Sequence, residues 1–256
     1  MLTIDLKWYS GSAIVSRMSD YLVIVDTFRA TSLVSTMLQL GAARIIPVSL
    51  VEEALALKEK NHEYIIVGED RGKMPEGFAF GNSPSKLFSA AGETLRGRTI
   101  VHRSSAGTQA ISRAAKVKKE QNAKYRVFTS SLLNSRAIAS HIAGLNGGRD
   151  ERLTVLCCGY MDKIYALEDE LGAGALIGEI APLVSDFKLS EVAASAYLSF
   201  RGIRAEDLMR MLRNTKSGAR IVEVGDEPDI EFCSRMNIFD VVPELKDGLL
   251  ADAASR

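Results

Sequence analysis

The segment Val23-Ile24-Val25-Asp26-Thr27-Phe28-Arg29-Ala30-Thr31-Ser32 ends a short apolar run in a carboxylate and places an arginine three residues further on. Two hydroxyls follow where a helical pattern begins. At the carboxyl end of a strand and the amino end of the next helix, unpaired N–H groups and the positive end of the helix dipole attract anions. Asp26 suits a divalent cation, Arg29 can fork onto a phosphate, and Thr31 and Ser32 can add donors. The plainer alternative is that Asp26 opens a turn and a hydroxyl caps the helix.

The same residue types recur after other apolar runs: Glu69, Asp70 and Arg71; Arg103, Ser104 and Ser105; Ser130 and Ser131; and Gly159. Carboxylates, arginines and hydroxyls dominate this set, and His102 is the only histidine within it. That composition fits a magnesium-assisted phosphate site, because Mg2+ is usually held by one or two carboxylates together with phosphate and water. The turn Ser104-Ser105-Ala106-Gly107-Thr108 precedes a helix and can present backbone N–H groups to a phosphate. The long loop from Gly68 to Pro84 is glycine-rich and polar, yet Phe78 and Phe80 can pin it to the body. Loops of this length in compact domains are usually functional or disordered, and the aromatic anchors favour a covering loop that brings Glu69, Arg71, Asn82 and Ser83 around a ligand. Glu168 and Asp169 open a later helix. Neighbouring helical positions point about 100° apart, so at most one of the two is expected to face a cleft directly.

These groups need elements to hold them. Strand-like runs cover Leu2–Leu6, Tyr21–Asp26, Arg44–Val48, Tyr64–Gly68, Arg98–His102, Tyr125–Thr129 and Leu153–Cys158. Helical patterns lie between them, at Thr31–Leu40, Leu50–Lys60, a short one opening at Pro84, Gly107–Lys119 and Ser131–Leu145. Such alternation predicts an α/β fold with a largely parallel sheet and helices on both faces. If the strands are parallel, all the polar strand ends converge on one edge. After Cys158 the chain turns helix-rich, with helices expected at Ala166–Ile180, Phe187–Phe200 and Ala205–Leu212. A final strand is expected at Arg220–Val224, and Asp240–Pro243 is expected to return to the sheet edge. One domain over residues 1–256 is the simplest division, with Ser185–Thr215 as a candidate helical subdomain.

Lys plus Arg and Asp plus Glu both number 32, so the formal net charge is zero, which argues against nucleic acid as a partner. Cys157, Cys158 and Cys233 form an odd, sparse set that reads as reduced thiols of a cytoplasmic protein; the adjacent Cys157 and Cys158 lack zinc-ligand spacing and are expected to be buried in an apolar strand. The most apolar long stretch, Leu171–Val184, contains Glu179 and Pro182 and is too short to span a bilayer, so no membrane partner is expected. Met1–Lys7 does not look like a signal segment. A small phosphorylated acid is the expected partner, and the sequence leaves room for a homo-oligomer.

Across nearly its whole length the chain resembles the 2-phosphosulfolactate phosphatase (ComB) family. The resemblance is carried by Val25–Ser32, Gly68-Glu69-Asp70-Arg71-Gly72, Gly77-Phe78-Ala79-Phe80-Gly81-Asn82-Ser83-Pro84 and Leu156-Cys157-Cys158-Gly159. Leu167-Glu168-Asp169 with Gly172-Ala173-Gly174, Gly225-Asp226-Glu227-Pro228-Asp229-Ile230 and Val241-Val242-Pro243 extend it. It implies a three-layer α/β/α fold with a parallel or mixed sheet, and a magnesium-dependent phosphomonoesterase acting on a phosphorylated 2-hydroxy acid. In archaea that step belongs to coenzyme M synthesis. It also implies that Asp26, Arg29, Glu69, Asn82, Ser83, Glu168 and Asp169 lie in or near the active site. On this reading Asp26, Glu69, Glu168 and Asp169 supply the Mg2+ ligands, with Asp26, Arg29 and Glu69 central to catalysis. Arg29 and the turn from Ser104 and Ser105 to Gly107 and Thr108 meet the phosphoryl group, and Arg71 meets the substrate's carboxylate or sulfonate.

Three departures from the family pattern touch ligand loops. Ala79 stands where an aspartate is usual, Ala106 replaces the asparagine of a Thr-Thr-Asn-Gly-Thr turn, and the glycine-rich stretch after Cys158 carries Met161-Asp162-Lys163 instead of a further glycine. The rival reading is a phospho-ligand-binding paralogue that has lost turnover. Phe28 occupies the position where a haloacid-dehalogenase-type phosphatase needs its second aspartate, and no Gly-x-Gly-x-x-Gly follows the first strands as a nicotinamide enzyme would require.

Overall fold

The computed structural model describes residues 1–11 and 19–254, and through Cys157 it realises the expected alternation. The strands are β1 (Leu2–Trp8), β2 (Tyr21–Val25), β3 (Arg44–Val48), β4 (Ile65–Gly68), β5 (Thr99–Arg103), β6 (Arg126–Ser130) and β7 (Glu151–Cys157). The helices between them are α1 (Ala30–Gln39), α2 (Val51–Lys60), α3 (Pro84–Ala90), α4 (Gly92–Leu95), α5 (Gly107–Glu120) and α6 (Ser135–Asn146). All five residues of β2 are buried, as a strand covered by helices on both faces requires. Ser83 caps α3, its hydroxyl accepting from Lys86 N, and Pro84 takes the first helical position.

Past β7 come α7 (Leu167–Ile180), β8 (Phe187–Leu189), α8 (Glu191–Gly202), α9 (Ala205–Arg213), α10 (Lys216–Glu223) and α11 (Pro228–Ser234). Two short strands, β9 (Pro243–Lys246) and β10 (Leu249–Asp252), complete the sheet. Three expectations are corrected here. The helix expected over Phe187–Phe200 begins as β8, which pairs parallel to β1 with Phe187 opposite Leu2, and Ser190 then caps α8. The strand expected at Arg220–Val224 is the end of α10. Thr215 accepts from Gly218 N at 3.0 Å, and Ser217, Gly218 and Ile221 form the buried stripe, so a cap and a helical face override the β preference of Ile221 and Val222. The segment expected to return near Asp240–Pro243 does so in the middle of the sheet. Asp247 and Gly248, both at positive φ, make the tight turn of an antiparallel hairpin between β9 and β10.

The sheet order is β4-β5-β3-β10-β9-β6-β2-β7-β1-β8. Within β4-β5-β3 and within β6-β2-β7-β1-β8 neighbouring strands are parallel, but the hairpin is antiparallel to both its flanks. The sheet is therefore mixed, and its two parallel sets run in opposite senses. In a flat sheet their carboxyl ends would lie on opposite edges. Twist removes the conflict: β5 and β2 are five strand steps apart, and about 20–25° per step rotates one against the other by roughly 100–125°. The carboxyl ends of the two sets thus swing towards each other.

Helices cover both faces, giving three layers. On one face, Leu33 and Met37 of α1, Leu87 of α3 and Ile111 of α5 pack on Leu22, Ile24, Ile45 and Ile100. On the other, α6, α7 and α8 lie over Val23, Phe128 and Val155, while Ala54 of α2 packs on Ile66 and Val101. A further cluster joins Leu208, Leu212, Ile221 and Ile230 of the last helices to Leu132 and Leu171, so this helical stretch adjoins the strand ends. Among the described residues no helix is long and apolar enough to cross a membrane.

Candidate active site

Asp26 follows directly on β2, and α1 begins four residues later. Its Oδ1 accepts from Ala30 N at 3.2 Å, while its backbone oxygen accepts from Thr31 N at 3.0 Å and from Thr31 Oγ1 at 2.9 Å. Ser32 Oγ donates to Thr27 O at 2.9 Å. Both hydroxyls are thus turned onto the β2–α1 loop and fix its shape, which holds the Asp26 carboxylate at the mouth of the crevice. Gly107 opens α5 against this carboxylate. A Cβ at Gly107 would stand 2.7 Å from Asp26 Oδ2 and 2.5 Å from Ala30 Cβ, so only glycine allows this approach. Burial raises the Asp26 carboxyl to about 7, against the N–H groups of Ala30 and Gly107, with Glu69 and Glu168 adding to the rise.

Glu168 and Asp169 of α7 are both buried. Asp169 Oδ1 accepts from Thr27 N at 2.8 Å and its Oδ2 from Gly159 N at 2.7 Å, joining the ends of β2 and β7. Glu168 turns the other way, towards the hydroxyls of Ser217 and Thr215, and its Oε2 is buried with no hydrogen-bond partner. The 100° offset between neighbours therefore separates their partners and not their burial. Burial pushes both carboxyls up, and for Asp169 the charges of Asp26 and Glu168 push further.

Glu69 follows β4, where Gly68 passes so close to β5 that a Cβ would meet Arg103 O at 1.9 Å. The Glu69 carboxylate accepts from Ser105 N at 2.6 Å, from Ser105 Oγ at 3.0 Å and from Gly72 N. It staples the loop after β4 to the turn after β5. Within that turn Ser104 and Thr108 bond each other: Thr108 N donates to Ser104 Oγ at 3.0 Å and Ser104 N to Thr108 Oγ1 at 2.7 Å. Of the turn's hydroxyls, Ser105 lies nearest the surface, accepting from Arg71 N at 3.1 Å.

Arg29, read as a fork for phosphate, borders the crevice but has its guanidinium engaged by two carboxylates. Its side chain is 6% exposed, and Nη1 donates at 2.6 Å to both Asp226 Oδ2 and Asp229 Oδ2. Asp229, fully buried at the start of α11, also accepts from Ser83 Oγ at 2.8 Å, Ser85 N at 2.9 Å and Ser85 Oγ at 2.5 Å. Arg29 and Ser83 thus belong to one clamp that holds α3 and α11 against the β2–α1 loop.

Between these groups lies a cavity of about 320 Å³ lined by Asp26, Arg29, Glu69, Arg71, Asn82, Ser105 and Ser217, among others. It adjoins a larger one of about 670 Å³, and Arg29, Glu69, Asn82 and Arg220 border both. Ala106 lines the first cavity and Ala79 the second. Arg71 is exposed at positive φ, and its backbone oxygen accepts from Arg220 Nη2 at 3.2 Å. Arg220 also pairs with Glu223 at 2.7 Å. Sequence reading missed Arg220 because the residue was assigned to a strand; Thr215 as a helix cap was the signal that would have placed it. Cys157, Cys158 and Cys233 are buried free thiols whose pKa burial raises, so they remain protonated and unreactive.

The family model for 2-phosphosulpholactate phosphatase matches residues 12–248. The chain belongs to the 2-phosphosulpholactate phosphatase family. A protein of Carboxydothermus hydrogenoformans named probable 2-phosphosulfolactate phosphatase is 33% identical over 91% of this chain and 90% of its own length. Proteins of the same name from Caldanaerobacter subterraneus subsp. tengcongensis and Thermotoga maritima are 32% and 31% identical, each over 89% of this chain and over 88% and 89% of their own lengths.

For a phosphatase of this family, the donor set can be tested against Mg2+. Among the described residues no three His, Cys, Asp or Glu side chains stand together as a ready-made metal cage. Magnesium needs less, since one or two carboxylates with phosphate and water suffice. Glu69 and Asp169 already accept two or three N–H or O–H groups each. Asp26, Glu168 and Asp169 are all buried with raised pKa; of these, Asp26 lines the cavity and Glu168 keeps an orphaned oxygen, Oε2, which makes these two the pair best able to take a cation. An oxygen-only pair of this kind fits a hard divalent cation.

Proposed function

We propose that this protein is a magnesium-dependent phosphomonoesterase that hydrolyses a small phosphorylated 2-hydroxy acid to the hydroxy acid and phosphate. The substrate is of the kind named for its relatives, 2-phosphosulfolactate, and the step is one serving coenzyme M synthesis where that pathway operates. The observation that carries this reading is the buried Asp26 carboxylate lining a polar cavity, with Glu168 buried near enough for its charge to raise Asp26 further, in a chain of this phosphatase family. Asp26 and Glu168 would hold Mg2+, with Glu69 and Asp169 orienting the loops around them. When bound, the ion supplies Lewis-acid stabilisation to the phosphoryl oxygens.

The protein's own groups do the rest. The amino end of α5, a helix of 14 residues, turns the positive end of its dipole to the crevice, where the Gly107 N–H already meets Asp26. Asn82 offers side-chain donors from the cavity wall. Arg71 and Arg220 stand at the rim, where guanidinium geometry suits a carboxylate or sulfonate, and so select a substrate with a second anion. Arg29 holds the β2–α1 loop in place through Asp226 and Asp229. Three buried, unpaired cysteines support a cytoplasmic setting.

The test is release of phosphate from 2-phosphosulfolactate and a panel of other phospho-acids, with magnesium and with chelator. Magnesium-dependent release supports the reading. Binding of the phospho-acid without release would replace it by the phospho-ligand-binding alternative.

A further inference from the structure

A histidine with no assigned task lies beneath the cavity. His102 of β5 sits in the sheet between Pro47 of β3 and Val67 of β4 and is fully buried. Its Nε2 lies 3.4 Å from Asn82 Oδ1, and its Nδ1 is buried with no hydrogen-bond partner. A ring proton on Nδ1 would leave a buried N–H donor orphaned. A proton on Nε2 leaves only an acceptor lone pair unmet, which folded proteins tolerate better. The ring therefore donates from Nε2 to Asn82 Oδ1. Burial lowers its pKa to about 3, so it stays neutral in ordinary buffers and carries no proton to substrate.

Asn82 borders both cavities and is itself buried. Its carboxamide can present either an oxygen or two N–H donors to them. With the oxygen taken by His102, the two N–H donors are left for the cavities that Asn82 lines. We propose that His102 is a positioning residue that fixes the Asn82 carboxamide with its NH2 turned towards the phosphoryl oxygens of the substrate. An unfixed amide would turn its oxygen towards the same anion for part of the time and repel it. The inference rests on the phosphatase reading for the identity of that anion.

Phosphate release by the full-length, magnesium-loaded protein tests the assignment. His102→Leu should lower kcat/KM roughly 10-fold, about as much as Asn82→Ala. His102→Gln, which restores a side-chain N–H donor, should recover most of the loss. In the Asn82→Ala background, His102→Leu should cost nothing further. An equal loss in both backgrounds, or no rescue by glutamine, would show that His102 acts through packing alone and overturn the proposal. Nitrogen NMR of the wild-type protein, with the signal assigned by its loss in His102→Gln, should show the Nε2–H tautomer; the Nδ1–H tautomer would also overturn it. If the wild type releases no phosphate from any substrate, the phosphatase reading fails, and the tautomer alone then decides the His102 geometry.

Discussion

Replacing Arg29 by alanine leaves two carboxylates facing each other without their shared cation. Asp229 is 0% exposed and Asp226 14% exposed, and both bond Arg29 Nη1 at 2.6 Å. Removing one partner of a buried ion pair costs about 3–5 kcal/mol. The lower end applies here, because Asp229 keeps three donors from Ser83 and Ser85 and Asp226 keeps Lys86 at 2.5 Å. For a chain of this length about 3 kcal/mol is a fall in Tm of roughly 6–8 °C. Circular dichroism melts at pH 7 measure it directly. Burial alone would raise the Asp226 carboxyl, but hydrogen bonds from Arg29 and Lys86 outweigh burial and hold it below the usual range. A group with a lowered folded pKa contributes stability above its unfolded pKa of about 4 and loses it as pH falls through the folded value. The Arg29→Ala penalty should therefore shrink below pH 4. Adding Asp229→Asn to Arg29→Ala should recover part of the loss. A Tm within about 2 °C of wild type, combined with a 10²–10³-fold loss of turnover, would refute this and make Arg29 a transition-state donor.

Other outcomes follow from the site. Chelation should abolish phosphate release, and magnesium added back should restore it and raise Tm; full turnover in metal-free protein would remove the metal from the reading. Gly107→Ala must displace Ala30 or Asp26, so it should cost about 1–3 kcal/mol by overpacking and most of the activity, as melts and kinetics would show. Arg220→Ala should raise KM for a substrate bearing a second anion while leaving Tm nearly unchanged, since the side chain is 30% exposed. Ala79→Asp with Ala106→Asn should raise kcat/KM for 2-phosphosulfolactate if the two alanines mark a shifted substrate; unchanged preference would make them neutral.

How much of this was legible in the sequence depends on the distance between partners. Asp26 and Glu69 could be read because each stands where a local apolar run stops, and the strands from β1 to β7 came within a residue or two of their limits. The opposed sense of the two parallel sets could not be read, because it arises from a hairpin more than 80 residues beyond β7. Its signal, Asp247-Gly248 between short apolar runs, is brief. Arg29 looked like a free phosphate fork because its partners, Asp226 and Asp229, lie about 200 residues away. Thr31, Ser32, Ser104 and Thr108 showed ligand chemistry, and folding directs those hydroxyls to nearby backbone or to one another. Glu168 and Asp169 could be read as an acidic pair opening a helix, but not their common burial, which comes from α7 packing against α6, α8 and the strands β2, β6 and β7.

The hairpin of β9 and β10 is a keystone laid last. Until it is in place, β3 and β6 are both bare edges, and the halves bearing Glu69 and Asp26 have no fixed relation across the sheet. Among the described residues every other strand precedes it, so a nascent molecule can assemble both halves and still lack a working crevice. A stop codon or protease cut near Pro243 would remove the hairpin and leave the eight earlier strands. They would form two sticky half-sheets, and quality control would meet an aggregation-prone protein in place of a shortened enzyme.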